Sequence, residues 1–314
     1  MSDGPGPATA VLPSGEQYVL ELGAQRAVVT EVGATLRAYA VGDREVLDGF
    51  PPDQMSSGGR GQLLLPWPNR VDGGRYTFDG ATHQLPLNEP EKQNAIHGLT
   101  RWRSWRLVAR APARVALGLL LHPQPGYPFT LALEVVYTLS PEGLEVGTTA
   151  RNLGARPLPF GAGQHPYFTV GLPRVDAALL HLPARTRLLV DSRSLPRGAA
   201  PVAGTEYDFN AARPVGPLAL DTCFADLVPD DHGRVRVNLA HPGGAPRLTL
   251  TLDAAYQFVQ VFTGDTLADP AARRRGLAIE PMTCAPDAFN NGKGLRILAP
   301  GERFTARWSL AVSG

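Results

Sequence analysis

The chain has 314 residues, 43% of them hydrophobic and 19% charged, with a formal net charge of +1. That composition describes a globular chain with ample apolar mass for a core and excludes a disordered or fibrous one. A net charge this small gives no electrostatic case for nucleic acid or an anionic membrane as partner. Two cysteines, Cys223 and Cys284, are too few to staple a scaffold and lack metal-ligand spacing.

The Pro/Gly-rich residues 1–15 are expected to form a flexible terminus, with residues 16–314 as a single domain. No basic stretch precedes an apolar one there, so no secretory signal is predicted and a cytoplasmic setting is expected. Strands are predicted at Tyr18–Leu22, Arg26–Val32 and Thr35–Val41, where apolar residues recur with period two. "PWPNRVDGGRYTF" follows, with Asn69 and Arg70 between an apolar strand end and a turn. Asp79-Gly80 supplies the positive φ angles of a tight hairpin turn. "NAIHGLTRWRSW" places His97 before a glycine. The apolar run "VALGLLL" from Val115 is far too short to span a bilayer.

The alternation is cleanest in "FTLALEVVYTL", where Leu131, Leu133, Val135, Tyr137 and Leu139 share a face. "SPEG" then turns the chain into Leu144, Val146 and Thr148. "GAGQHPYF" sets His165 among glycines, a proline and aromatics. "LALDTCF" carries Asp221. Further strands are predicted at Arg234–Leu239, Arg247–Asp253 and Gln257–Phe262, the last bearing Gln260. Near the C-terminus "LAIEPMTC" reads as an apolar strand ended by Glu280 and stopped by Pro281. No window sustains an apolar stripe of helical period, and 30 prolines and 34 glycines punctuate the chain. The reading is an all-β, large antiparallel β-sandwich with few short helices.

Taken singly, these polar residues are ambiguous. Glu280 is either half of a structural ion pair or a base at a cleft, since a carboxylate is not buried unpaired cheaply. His165 and His97 read as well as structural histidines, Arg70 as an ion-pair former, and Asp221 as a turn residue. Trp67, Trp102 and Trp105 read as core, with an aromatic wall for a ligand as the alternative. Arg273, Arg274 and Arg275 read as a solvated loop, with a sulfonate or phosphate as the alternative ligand.

In combination, "PNRV", "IHGLTR", "HPYF", "LDTCF", "VQVFTGD" and "IEPMTCAPDAFN", in this order, resemble the aldose 1-epimerase (galactose mutarotase) family, over nearly the whole chain to "LAPGERF". "EPMTC" and "GAGQHPYF" are most similar to a bacterial subgroup partly associated with sulfoquinovose. The resemblance implies a β-sandwich isomerase that interconverts the α and β anomers of a free aldose, such as glucose or galactose, without metal or organic cofactor. It implies a monosaccharide as the partner of a monomer or homodimer. It implies Glu280 as general base, His165 as general acid, and His97 as a second histidine at the ring oxygen. Arg70, Asn69, Asp221, Gln260 and Tyr167 fall on the sugar-binding side. A bell-shaped rate profile is then expected, with neighbouring carboxylates raising the charged fraction of His165. Alternatives left open are a mutarotase for sulfoquinovose or a hexose 6-phosphate, a non-catalytic carbohydrate-binding protein, and a metal hydrolase using His97, His165 and Glu280, although no metal-binding motif supports the last.

Overall fold

Alternating apolar positions dictate period-two burial, and the chain pairs them into antiparallel ladders. The computed structural model describes residues 11–314. Leu131–Ser140 and Gly143–Asn152 form the predicted hairpin, in register from Leu131↔Asn152 to Ser140↔Gly143. Asp79 and Gly80, at φ 50° and 74°, turn Arg75–Phe78 into Ala81–Gln84. Gln17–Leu22, Gln25–Thr30 and Leu36–Val41 lie within a residue or two of prediction and share a small N-terminal sheet.

Two large sheets make the body. In the nine-stranded sheet, Arg303–Ser313 bridges Gly143–Asn152 and Arg247–Leu252, joining the central hairpins. The eight-stranded sheet runs through Ala184–Val190, Asp221–Leu227, Phe258–Phe262 and Leu277–Met282 to Gly163–Gln164, with Tyr167–Phe168 also on Leu277–Met282. Leu133, Val135, Tyr137 and Leu250 of the first sheet share one buried cluster with Phe224, Val259, Val261 and Ile279 of the second. The fold is the expected all-β sandwich. Its only α-helix among the described residues is Ala288–Asn291, and no described helix is long and apolar enough to cross a membrane.

Three expectations are corrected. Pro281 does not end its strand, which continues to Met282 with Pro281 opposite Val259. Of the supposedly loose first fifteen residues, 1–10 lie outside the described residues. Ser14 is already buried, and its carbonyl accepts from the Val32 amide at 3.0 Å. Arg274 is no solvated loop residue: it is 4% exposed, paired with Asp265 and Asp176, while its neighbour Arg275 reaches Asp48.

Candidate active site

The second sheet has two faces, and period-two alternation assigns them. Val259 and Val261 point into the core; Gln260 between them points outward, directly opposite Glu280 on the next strand. On the far side of that strand the pairs Gly163↔Met282 and Tyr167↔Ala278 flank a short gap. The same register carries His165 opposite Glu280. Pro166 and Pro281 both lack an N–H, so the ladder in the gap is incomplete, with the Ile279 amide donating to Pro166 O at 3.3 Å and side chains adding to the link. His165 Nε2 lies 3.2 Å from Glu280 Oε1. Asp221 begins another strand of this face, and its Oδ1 accepts from Gln260 Nε2 at 2.6 Å. Adjacent strands thus present His165, Glu280, Gln260 and Asp221 side by side.

His165 is held from several directions. Gln164, pointing the other way, accepts from Trp308 Nε1 at 3.1 Å and donates to the Tyr137 hydroxyl at 3.1 Å, both on the opposite sheet. The His165 amide donates to Gln62 O, and its carbonyl accepts from Gly61 N. Tyr167 stacks on the imidazole, centroids 5.0 Å apart, and its hydroxyl donates to Gly58 O. Gly59, at φ 82°, crosses so close that a Cβ there would sit 2.7 Å from the ring. Tyr167 is 1% exposed, does not line the cavity and packs against His165. Phe168 belongs to the main core. Gly161 and Gly163 are needed for close approach, not for bending: neither has positive φ, yet a Cβ would strike Cys284 or Pro68. Both cysteines are buried and free.

Loops supply the rest of the wall. Asn69 and His97 lock each other, His97 N donating to Asn69 O at 2.9 Å and Asn69 N to His97 Nδ1 at 3.2 Å. Both sit at left-handed φ, 56° and 62°, strain of the sort functional sites retain. Because Nδ1 accepts, the neutral ring carries its proton on Nε2. Arg70 is clamped by both oxygens of Glu89 at 2.9 Å and lies 3.9 Å from Asp221. Asn94 donates to the same Glu89, and Arg193 fastens Asn94, Gln93 and Lys92 from about a hundred residues away in sequence.

These groups line a cavity of about 660 Å³, together with Gln62, Arg101 and Trp102. Seven of the eight expected site residues thus converge; Tyr167 stands behind. Glu89, Gln62, Arg101, Gln164 and Arg193 were not anticipated, although Arg101 lies in "IHGLTRWRSW" and Gln164 immediately precedes His165. Trp102 is 57% exposed at the rim, not core, whereas Trp67 and Trp105 are core.

Burial governs the electrostatics. Glu280 is 2% exposed, and loss of hydration raises its carboxyl well above the usual range, with Asp221 adding to this and Arg70 opposing it. Loss of hydration pushes His165 down to about 3, with Arg101 and Arg60 adding to the effect. The expected upward shift of His165 is therefore reversed, because desolvation dominates. His97 is likewise held low by burial and by Arg101. The pair favours one proton in total, since two or none would leave a net buried charge. Glu280 Oε2 and His165 Nδ1 have no hydrogen-bond partner among the described residues. His97, His165 and Glu280 place ligand atoms within 4.8 Å of one another. A metal would need the Nε2 lone pair of His97, which the Asn69 amide keeps protonated, so this donor set does not fit a metal.

The family model described as Aldose 1-epimerase matches residues 16–311. The chain is 35% identical over 290 residues to the uncharacterized protein YihR of Escherichia coli K12, covering 92% of this chain and 91% of that one. It is 27% identical over 267 residues to the aldose 1-epimerase of Escherichia coli K12, covering 76% and 75%. The fold matches the GalM/aldose epimerase homologue from C. elegans at a TM-score of 0.85 and 20% identity, over 95% and 99% of the two chains. With a match across nearly its whole length, this chain belongs to the aldose 1-epimerase family.

Proposed function

We propose that the protein interconverts the anomers of a free aldopyranose by acid–base ring opening and reclosure. What carries this reading is the facing of Glu280 and His165 at 3.2 Å in the floor of a polar cavity. A hemiacetal carries two oxygens on its anomeric carbon, one to be deprotonated and one to be protonated, so it needs a base and an acid this close together. In the productive form the shared proton sits on His165 and Glu280 is ionised. Glu280 takes the proton from the anomeric hydroxyl while His165 gives one to the ring oxygen. The ring C–O bond breaks, its electron pair stays on that oxygen, and the aldehyde C=O forms. The pair is left neutral, the form its burial favours. Rotation about the first carbon–carbon bond and the reverse transfers close the ring on the other face.

The His97 Nε2–H is a fixed donor beside this centre, and Asp221, Gln260 and Arg70 supply directed contacts for hydroxyls, as a neutral ring in a small cavity requires. The test is anomer exchange, followed by polarimetry and NMR, on α-glucose and α-galactose. Glu280→Gln and His165→Asn are each expected to lower the rate by about 10² to 10⁴-fold. Sugar binding with no acceleration by the wild type would make this a carbohydrate-binding protein instead.

A further inference from the structure

The sheet register that brings Glu280 to His165 continues one strand further. Gly163 and Gln164 pair with Leu64 and Leu63, so the residue beside His165 on that side is Gln62. The Gly61 amide donates to His165 O at 2.9 Å, and the His165 amide donates to Gln62 O at 3.0 Å. With Gly61 at φ 70°, this is a glycine-led β-bulge, in which two residues oppose one and only the second has a side chain. Gly61 has room for none, since a Cβ there would strike Leu36 O. The bulge therefore stands the Gln62 side chain next to the imidazole. Across neighbouring strands, about 4.8 Å apart, the order is Gln260, Glu280, His165, Gln62.

Gln62 is 1% exposed and lines the cavity, yet its Nε2 has no hydrogen-bond partner among the described residues. The other end of the amide is settled. Arg101 Nη1 donates to Gln62 Oε1 at 3.4 Å, and a guanidinium can only donate, so the oxygen faces Arg101 and the NH2 group faces away from it. A buried amide donor left unmatched is costly, and the acceptor it lacks is one a bound ligand can bring. The order of the row says which part of a sugar that is. In the proposed reaction Glu280 serves the anomeric hydroxyl and His165 the ring oxygen, both bonded to C1. One strand beyond His165, away from C1, the ring continues to C5 and its substituent C6. On the other side, beyond Glu280, C2 falls toward Gln260 and Asp221.

We infer that Gln62 is a specificity-determining residue whose amide donates to the hydroxyl oxygen on C6, with Arg101 holding the amide oxygen. This rests on the mutarotase reading, which by itself gives Gln62 no role. Exchange NMR on the full chain would compare glucose, 6-deoxyglucose and xylose, using wild type, Gln62→Met and Gln62→Glu. Glucose is expected to exceed 6-deoxyglucose in kcat/KM by about fivefold to tenfold, the scale of one hydrogen bond, mainly through KM. Both variants lack the amide donor, so the ratio should fall to near one in each. Because 6-deoxyglucose keeps the C6 carbon, parity between it and glucose in the wild type overturns the proposal, even where xylose is handled worse. A preference that survives either variant overturns it too. If no sugar is accelerated, the mutarotase reading falls alone, and NMR titration of 1,5-anhydroglucitol against its 6-deoxy analogue, neither of which can open, becomes the deciding measurement. Tighter binding of the former by wild type but not by Gln62→Met supports the role of Gln62; equal binding overturns it.

Discussion

A carboxyl that keeps its proton and an imidazole that refuses one make the Glu280–His165 contact a pH device as well as the proposed catalytic pair. Unfolded, the glutamate titrates near 4.5 and the histidine near 6.5. Between those values the unfolded pair binds one proton, and so does the folded pair, so stability gains no slope from it. Above 6.5 the unfolded pair is empty while folded Glu280 retains its proton; stability therefore falls as pH rises, at up to about 1.4 kcal/mol per pH unit. Below 4.5 the unfolded pair holds two protons, while the folded one admits its second only near 3, so stability falls with falling pH. Denaturant titrations across pH should show the alkaline slope in the wild type and not in Glu280→Gln; an unchanged slope would remove the buried proton. Sequence made both residues visible, but not this, because the sign depends on how dry the site is.

At the scale of elements, the pair depends on a strand that faces two ways. Gln164 satisfies Trp308 and Tyr137 across the sandwich, so that the next residue, His165, is delivered outward. Gln164→Leu strands the Trp308 N–H and is expected to cost about 1–3 kcal/mol of stability in urea melts, with a drop in exchange rate. A variant as stable and active as the wild type would show that the amide does not set the histidine. Arg193 acts on the loop side, through Asn94 and Glu89, to hold Arg70. Arg193→Ala should raise KM several-fold with a smaller change in kcat, since it touches sugar-binding groups and not the proton-transfer pair.

The strands carrying the site were legible where alternation was strict, as in Phe258–Phe262, which follows prediction to a residue. Others were legible and passed over: Arg303–Ser313 alternates Phe304, Ala306, Trp308 and Leu310 through the centre of a sheet. Pro196–Pro201 was not legible, because two prolines disguise an edge strand. Pro281 misled for a related reason: proline need not end a strand, and this one runs on to Met282 with Pro281 opposite Val259.

For the whole molecule, the proposed chemistry and recognition are built from different materials. The proton-transfer pair, Gln260 and Asp221 stand on sheet strands whose other face is the main core, while Arg70, His97, Arg101 and Trp102 come from loops and short hairpins around the mouth. Trace divalent metal is not expected to matter, given the proton on His97 Nε2; chelator-treated protein should exchange anomers at the untreated rate, and a loss restored by zinc would overturn this.

The close passage of Gly59 over the imidazole has a consequence for how such an enzyme diversifies. A side chain at that position would collide with the ring, its Cβ 2.7 Å from His165 Cδ2 at a left-handed φ, so drift in the first loop is policed there by steric exclusion.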